Sequence, residues 1–454
     1  MNFQPLSWLG AALLGGAVVL GGCNFGGLND AIHKPGDEPG GVQIAQGNLA
    51  VSPTGDYFLF DRDGKLAIGW VATGVVEDLP VVAPARLAFS KERRFVYVTT
   101  STSSVYAVDI DARAVAWSRP VGSTLDPLVV SSTSDTRVAV GGGLVVDLFD
   151  AATGEVVASH PLSRPIVDLT VLPDDERLLA VEGHVWAGSA PSTTVVVMDL
   201  AAGDTRDIVV PNCSDHIVVP KSGGSALLAP TTCQKDPIST LDLTPGAEKF
   251  VKNLPGFGPV ALGPDGETAV GFLDHTKIDA TLFEDPADIP ADPTRYQLMV
   301  IDTSTMAYEF YPWGEAMPRY AMTPNGQVLL VDEWLTSGSA RLFDLAGRVF
   351  EAISGPAATF EELVFSADSS HAYVLSDPVT HAATSSTDIW TDYELFALDL
   401  GGPAFSALTT DFRPRNVNIA PASDKLFLRR DAASVCVYDL ATQTCDRLVD
   451  LATM

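Results

Sequence analysis

Ala261-Leu-Gly-Pro-Asp-Gly266 and Ala321-Met-Thr-Pro-Asn-Gly326 are two copies of one local pattern, and their reading decides the fold. Each is an apolar run closing on Pro-Asp-Gly or Pro-Asn-Gly, where Pro fixes φ and Gly or Asn accepts the positive φ that a tight reversal needs. Val, Leu, Tyr and Phe alternate with polar residues on either side, so both flanks read as strands. The same half-unit recurs as Leu49-Ala-Val-Ser-Pro-Thr-Gly55, Leu87-Ala-Phe-Ser90, Val171-Leu-Pro-Asp-Asp175, Val364-Phe-Ser-Ala-Asp368 and Ile419-Ala-Pro-Ala-Ser423. A second half-unit ends in Asp: Tyr106-Ala-Val-Asp109, Asp147-Leu-Phe-Asp150, Val197-Met-Asp199, Met299-Val-Ile-Asp302, Arg341-Leu-Phe-Asp344, Phe396-Ala-Leu-Asp399 and Val437-Tyr-Asp439.

Joined, the halves give strand, tight turn, strand, variable loop, strand, short turn, strand, returning roughly every 40 to 60 residues with no convincing amphipathic helix between. Repeated strand quartets of this kind build propeller blades. The expected fold is therefore all-β, a single β-propeller of four-stranded blades. Nine candidate units begin near Asn48, Arg86, Asp126, Pro165, Ser214, Gly258, Pro318, Phe360 and Arg415. Propellers usually carry four to eight blades and units can merge or close across the termini, so seven or eight blades are expected, with nine left open.

Two stretches carry a family likeness. Tyr97-Val-Thr-Thr100 resembles the motif of the propeller repeats named for Tyr-Val-Thr-Asn, a WD40-like class, and Val105-Tyr-Ala-Val-Asp-Ile-Asp-Ala-Arg-Ala-Val-Ala-Trp117 is similar to the repeat of quinoprotein-type propellers. These likenesses cover most of residues 48 to 453 and speak to fold rather than function. The tryptophan-bearing repeat occurs convincingly once, so the resemblance does not imply a quinone, and no cofactor is expected.

Leu9 to Gly22 form a short apolar run ending in small residues, shorter than the roughly 20 residues a spanning helix needs, and read as the core of a signal peptide. The run closes as Leu20-Gly21-Gly22-Cys23, which resembles the bacterial lipobox; the resemblance implies acylation of Cys23 and a lipid-anchored protein of the cell envelope. By analogy with lipoprotein sorting, Asn24 after the Cys directs the chain to the outer membrane rather than the inner. Residues 1–22 are then the signal peptide, 23–47 the lipidated Cys and a Gly- and Pro-rich flexible tether with a reach of roughly 25 to 30 Å, and 48–454 the propeller. The remaining cysteines pair by spacing as Cys213 with Cys233 and Cys436 with Cys445; an even number outside the cytoplasm reads as disulfides. No CxxC or neighbouring His supports a metal site instead.

Lys and Arg number 28 against 57 Asp and Glu, a net charge of −29, and no charged residue precedes Asp30. Such a surface repels phosphate backbones and anionic headgroups, which argues against nucleic acid and against charge-driven membrane binding.

Blade geometry turns loop lengths into direction. First-to-second and third-to-fourth turns share one face, and second-to-third loops share the other with the blade-to-blade connections. The long insertions, 183–194, 273–296 and 376–393, all fall between second and third strands. They carry His184, Trp186, His275, His381 and Trp390, and a shorter equivalent loop adds Trp334. Loops on a rigid scaffold are where binding residues concentrate, so these are candidate partner-binding residues. Aligning units on the first-turn Ser and reading four residues back gives a ring: Asn48, Arg86, Pro127, Asp168, His216, Pro259, Arg319, Glu362 and Asn416, with Asp215, Glu361, Arg413 and Arg415 beside it. Seven of these nine aligned positions are polar, so a wet mouth to the central channel is expected. Arg86, Asp168, His216, Arg319, Glu362 and Arg415 are its candidate ligand-binding residues, with His216 or Glu362 as acid or base.

The middle insertion holds Asp274, Asp279, Glu284, Asp285, Asp288 and Asp292. No spacing there matches a calcium loop, and a solvated acidic loop is expected. Nucleophile elbows, HExxH, phosphate-binding loops and dinucleotide fingerprints are absent from the sequence, so no catalytic residue is assigned. The reading is an envelope protein presenting a propeller face to a protein or glycan partner. An enzyme of lactonase-like hydrolase or lyase type working in the funnel, and a scaffold for outer-membrane assembly, stand as alternatives.

Overall fold

The computed structural model describes residues 42–43 and 49–451, apart from residues 91–94, 122–127, 132–135, 184–190, 231–235, 316–317, 333–339, 354–357, 379–393, 420–424, 432–433 and isolated single positions such as 415. The strand quartets of the sequence form nine separate antiparallel sheets, each a meander in chain order. They are blades 1 to 9, over residues 49–82, 84–120, 128–161, 166–210, 216–254, 257–314, 318–353, 358–407 and 416–450. First strands of successive blades neighbour one another and so line the axis, which puts the fourth strand of each blade outermost. The structure thus has nine blades, one for each of the nine candidate units of the sequence. Merging does not occur because every unit supplies four strands of its own, even the last, whose strands run from Asn416–Ile419 to Thr444–Asp450.

Period-2 alternation explains the core. On the second strand of blade 1 (Tyr57–Arg62), Tyr57 and Leu59 face blade 2, whereas Phe58 and Phe60 face blade 9. Each strand therefore serves two interfaces, and the buried residues fall into nine clusters, one between each pair of neighbouring blades. Phe58, Phe149, Phe272, Phe343 and Phe427 are fully buried in these clusters, each stabilising by about 1.5–3 kcal/mol relative to exposure. The ring closes between blades 9 and 1 without a shared strand. Phe427 meets Phe58 edge-on with ring centroids 5.9 Å apart, and Arg447 Nη1 donates to the Val71 carbonyl at 2.9 Å.

The repeated polar residues are turn-makers. In the first turn the hydroxyl accepts from the backbone N–H that opens the second strand: Tyr57 to Ser52, Phe95 to Ser90, Gln327 to Thr323 and His371 to Ser366. The Asp ending the third strand caps the turn to the fourth, accepting from Thr153 at Asp150, Ala202 at Asp199, Thr305 at Asp302 and Thr442 at Asp439. Bonding to the ionised carboxylate holds Asp150, Asp242, Asp302 and Asp439 below the ordinary Asp range.

Cys436 and Cys445 form the expected disulfide on the hairpin of blade 9, with Cα atoms 5.7 Å apart. Cys213 is also disulfide-bonded; its expected partner, Cys233, lies outside the described residues. Among the described residues no helix is long and apolar enough to cross a membrane; Cys23 and the signal-peptide stretch lie outside them. Val42–Gln43, placed by the sequence reading in the tether, form a fifth strand on the axial side of blade 2, with Val42 opposite Leu87 and Gln43 opposite Arg86.

Candidate functional site

Three of the innermost strands bulge just before their ring residue. The extra residue is Ala85 before Arg86, Val167 before Asp168 and Glu361 before Glu362, each opposing a second strand that advances by one. A bulge bends its strand and re-aims the next side chain. Of the six expected funnel residues, Asp168 and His216 come together. Asp168, on the innermost strand of blade 4 (Ile166–Val171), is 4% exposed. Its Oδ1 accepts from its neighbour Leu169 N–H at 2.8 Å, and its Oδ2 crosses to blade 5, where it accepts from Ile217 N–H at 2.8 Å and lies 3.2 Å from His216 Nδ1. A buried carboxylate beside Nδ1 orients the imidazole, as the partner of a general base does.

The other funnel residues are not shown to join this pair. Arg86 lies on blade 2 with its backbone opposite Gln43. Arg319 and Glu362 sit on the innermost strands of blades 7 and 8, but their side chains lie outside the described set, as does Arg415 altogether.

Behind Asp168 and His216 the connection from blade 4 to blade 5 is held by a polar network that the sequence reading missed. Thr193 Oγ1 donates to the Asn212 carbonyl and accepts from Ser214 N–H, both at 2.9 Å, while Asn212 Nδ2 reaches Ser239 Oγ at 2.9 Å and Asn253 Oδ1 at 2.6 Å. Ser163 clamps the preceding connection, its N–H and Oγ donating to buried Glu182 at 2.8 and 2.7 Å. Buried groups hydrogen-bonded to one another in this way rigidify what they join. The available signal was polar residues interrupting apolar strands, such as Ser239-Thr240 in Ile238–Asp242.

On the opposite-turn side, the three insertions leave from second strands ending at Glu182, Asp274 and Pro378 and return at Thr193, Tyr296 and Glu394, as the loop lengths indicated. His184, Trp186, Trp334, His381 and Trp390 lie outside the described residues; His275 is described. The acidic insertion of blade 6 is a chain of capped turns. Asp274, Asp279, Asp285 and Asp292 each accept the N–H two residues on, from Thr276, Thr281, Ala287 and Thr294. Side-chain and backbone bonds from Thr281 and Thr294 hold Asp279 and Asp292 below the ordinary Asp range. The recurrent Asp-x-Thr spacing was the readable sign of this.

The insertion is pinned at its base. His275 N–H donates to the Arg295 carbonyl at 2.6 Å, and the Arg295 guanidinium stacks over Tyr296 at 4.9 Å. Gln297, 0% exposed, donates through Nε2 to the Asp292 carbonyl at 2.9 Å. Among the described residues, no three His, Cys, Asp or Glu side chains are placed to share a metal ion.

No family model matches the chain, and no curated protein matches it in sequence. Among solved structures, the crystal structure of a eukaryotic initiation factor superposes with a TM-score of 0.57 at 14% identity, covering 84% of this chain and 94% of that one. The dihydro-heme d1 dehydrogenase NirN in complex with DHE superposes with a TM-score of 0.50 at 16% identity, covering 80% of this chain and 74% of that one. At such identities the likenesses bear on fold alone.

Proposed function

We propose that this chain is a bacterial cell-envelope lipoprotein, acylated at Cys23 and carried to the outer membrane, whose propeller binds a protein or glycan partner on the face of its insertions. The observation that carries the reading is the blade 6 insertion. Some twenty residues leave and rejoin the sheet between Asp274 and Tyr296 and are held in shape by four successive Asp caps. An ordered loop on a rigid blade loses little conformational freedom on binding, which is what a recognition surface needs. The partner-facing side is acidic, so a partner with basic or hydroxyl-rich chemistry suits it.

A second reading is favoured by one observation, the Asp168–His216 pair: an enzyme with its base at the channel mouth. The two readings separate by variant. Replacing residues 276–294 with a short Gly-Ser turn should abolish retention of an envelope protein or glycan on the immobilised propeller, while His216→Ala leaves it within about twofold. Loss on His216→Ala with full retention by the shortened chain would reverse the assignment. Cys23→Ser in the same cells is expected to move the protein from the membrane to the soluble fraction, because one loss removes the acyl anchor.

A further inference from the structure

The Pro-Asp-Gly turn of blade 6 and the Pro-Asn-Gly turn of blade 7 differ in their chemistry. In blade 6 the Asp265 carboxylate is engaged on both oxygens: Oδ1 accepts from the Glu267 and Thr268 N–H groups at 2.9 Å, and Oδ2 from Thr268 Oγ1 at 2.7 Å. Burial pushes this carboxyl up, but the bonds outweigh it and hold Asp265 below the ordinary Asp range. A carboxylate kept ionised resists attack by a backbone nitrogen. In blade 7 the same position is Asn325, a neutral amide and a better electrophile, and it is exposed. Its Oδ1 accepts from Thr323 Oγ1 at 2.5 Å, which draws electron density away from Cγ. Gly326 follows at φ 86° and has no side chain to shield its nitrogen. A Cβ built there would come no closer to a neighbour than 3.7 Å, from Pro264 of blade 6, so there is room beside the turn. The Gly326 N–H donates to the Thr323 carbonyl at 3.1 Å, the long end of the usual range. Nowhere else in the sequence does Gly follow Asn. Asn212, Asn253, Asn416 and Asn418 precede Cys, Leu, Val and Ile, whose side chains crowd the following nitrogen.

We propose that Asn325 is a site of self-modification, losing its side-chain amide to attack by the Gly326 nitrogen. That nitrogen gives up its proton to solvent base and bonds to Asn325 Cγ. The Cγ–Nδ2 bond breaks, and Nδ2 takes a proton and leaves as ammonia. Water then opens the resulting succinimide ring at either carbonyl, leaving aspartate or isoaspartate at this position, with no change of oxidation state. Aspartate gives the turn the residue that blade 6 already has. Isoaspartate routes the main chain through the former side chain and lengthens the turn between Thr323 and Gln327, which the Gln327 N–H closes by donating to Thr323 Oγ1 at 2.8 Å. Blade 7 therefore ages from its turn face, and the insertion face is not touched. Neither the lipid anchor nor a partner enters into this chemistry.

The purified full-length chain, held folded in mildly alkaline buffer and sampled over weeks, gives the test. Peptide mapping by mass spectrometry locates new acids, and enzymatic methylation labels isoaspartate. Conversion at Asn325 is expected to run about tenfold faster than at any other asparagine. Ammonia should be released in step, and the rate should rise with pH, because the Gly326 nitrogen must lose its proton. Asn325→Gln, which needs a larger ring to cyclise, should abolish the conversion. A parallel sample unfolded in urea reports the reactivity of the bare sequence. Conversion at Asn325 in the unfolded chain but not in the folded one would mean that the turn shields the amide and would overturn the proposal. Acid forming evenly over all the asparagines of the folded chain would overturn it too.

Discussion

At the scale of single residues, this protein's many acids act first on their own backbone. Asp302 accepts from Ser304 and Thr305, Asp150 from Thr153 and Ala152, and Asp439 from Thr442 and Ala441, so the carboxylate closes the turn only while it is ionised. Bonds from Ser370 and Ser366 lower Asp368 furthest, to about 2. A carboxylate depressed in the folded state adds stability that is present above its unfolded value, about 4, and is lost as pH falls through the folded value. Thermal midpoints are therefore expected to be level in this respect from pH 8 to 5 and to fall from about pH 4 toward 2. Protonation also relieves the self-repulsion of a −29 chain, an opposing effect. The difference between wild type and an Asp150→Asn, Asp302→Asn, Asp439→Asn variant isolates the caps: their midpoints should converge on acidification, and parallel curves down to pH 3 would refute the capping role. Asp168 and His216 were legible because the turn position held by Ser52, Ser90 and Ser366 gives a register that carries over to Leu172 and Pro220 in blades 4 and 5. Their contact was not, since it crosses between blades and register along the chain says nothing of it. The Asp-x-Thr caps read as loop charge because a charge count carries no geometry.

Elements were readable where hydrophobic alternation set them. Third strands ending in Asp and first strands ending at Ser or Thr lie where their patterns put them, because one face must be buried and a one-residue slip would expose it. Val42–Gln43 escaped notice for the complementary reason: two residues amid Gly and Pro have no period of their own, and the edge of blade 2 makes them a strand. The bulges at Ala85, Val167 and Glu361 were also silent, because an inserted residue looks in sequence like ordinary strand. The blade 9 hairpin joins both kinds of information. Its strands pair Tyr438 with Cys445 and Val437 with Arg447, leaving Asp446 as the extra residue, and the bulge lets Cys436 reach Cys445 across the ladder. A bridge closing so short a loop, nine residues apart, constrains the unfolded chain by about 2–3 kcal/mol. Cys436→Ala with Cys445→Ala should lower the free energy of unfolding in urea by that much, and reductant added to wild type, which also opens the bridge at Cys213, should lower it at least as far. A variant as stable as wild type would show that the hairpin is held by packing alone.

For the whole molecule, nine blades make closure the weak point of the design. Nine blades were legible as nine candidate units, although typical propeller size favoured fusing some of them; each unit already held four strands, and a ring of nine needs only a smaller turn per blade. A strand shared between first and last blades would tie such a ring through backbone hydrogen bonds. Here the first and last blades are each complete, so side chains carry the seam: Phe58 and Phe60 from blade 1 against Phe427, Val435, Val437 and Val449 from blade 9. Gly69, beside the seam, is small of necessity, since a Cβ there would lie 2.3 Å from the Phe58 ring. Phe427→Ala removes a fully buried ring from this interface and is expected to cost about 3–5 kcal/mol through lost transfer energy and the cavity left behind. The distribution of the loss is the sharper expectation. With no blade-to-blade chain connection across the seam, hydrogen exchange should accelerate first in blades 1 and 9, while blades 4 and 5, joined by the Thr193–Asn212–Ser239 network, keep their protection. Phe427→Leu, which preserves most of the volume, should restore the seam. Uniform acceleration around all nine blades would mean instead that the ring opens as one cooperative unit and that the seam is no weaker than any other interface.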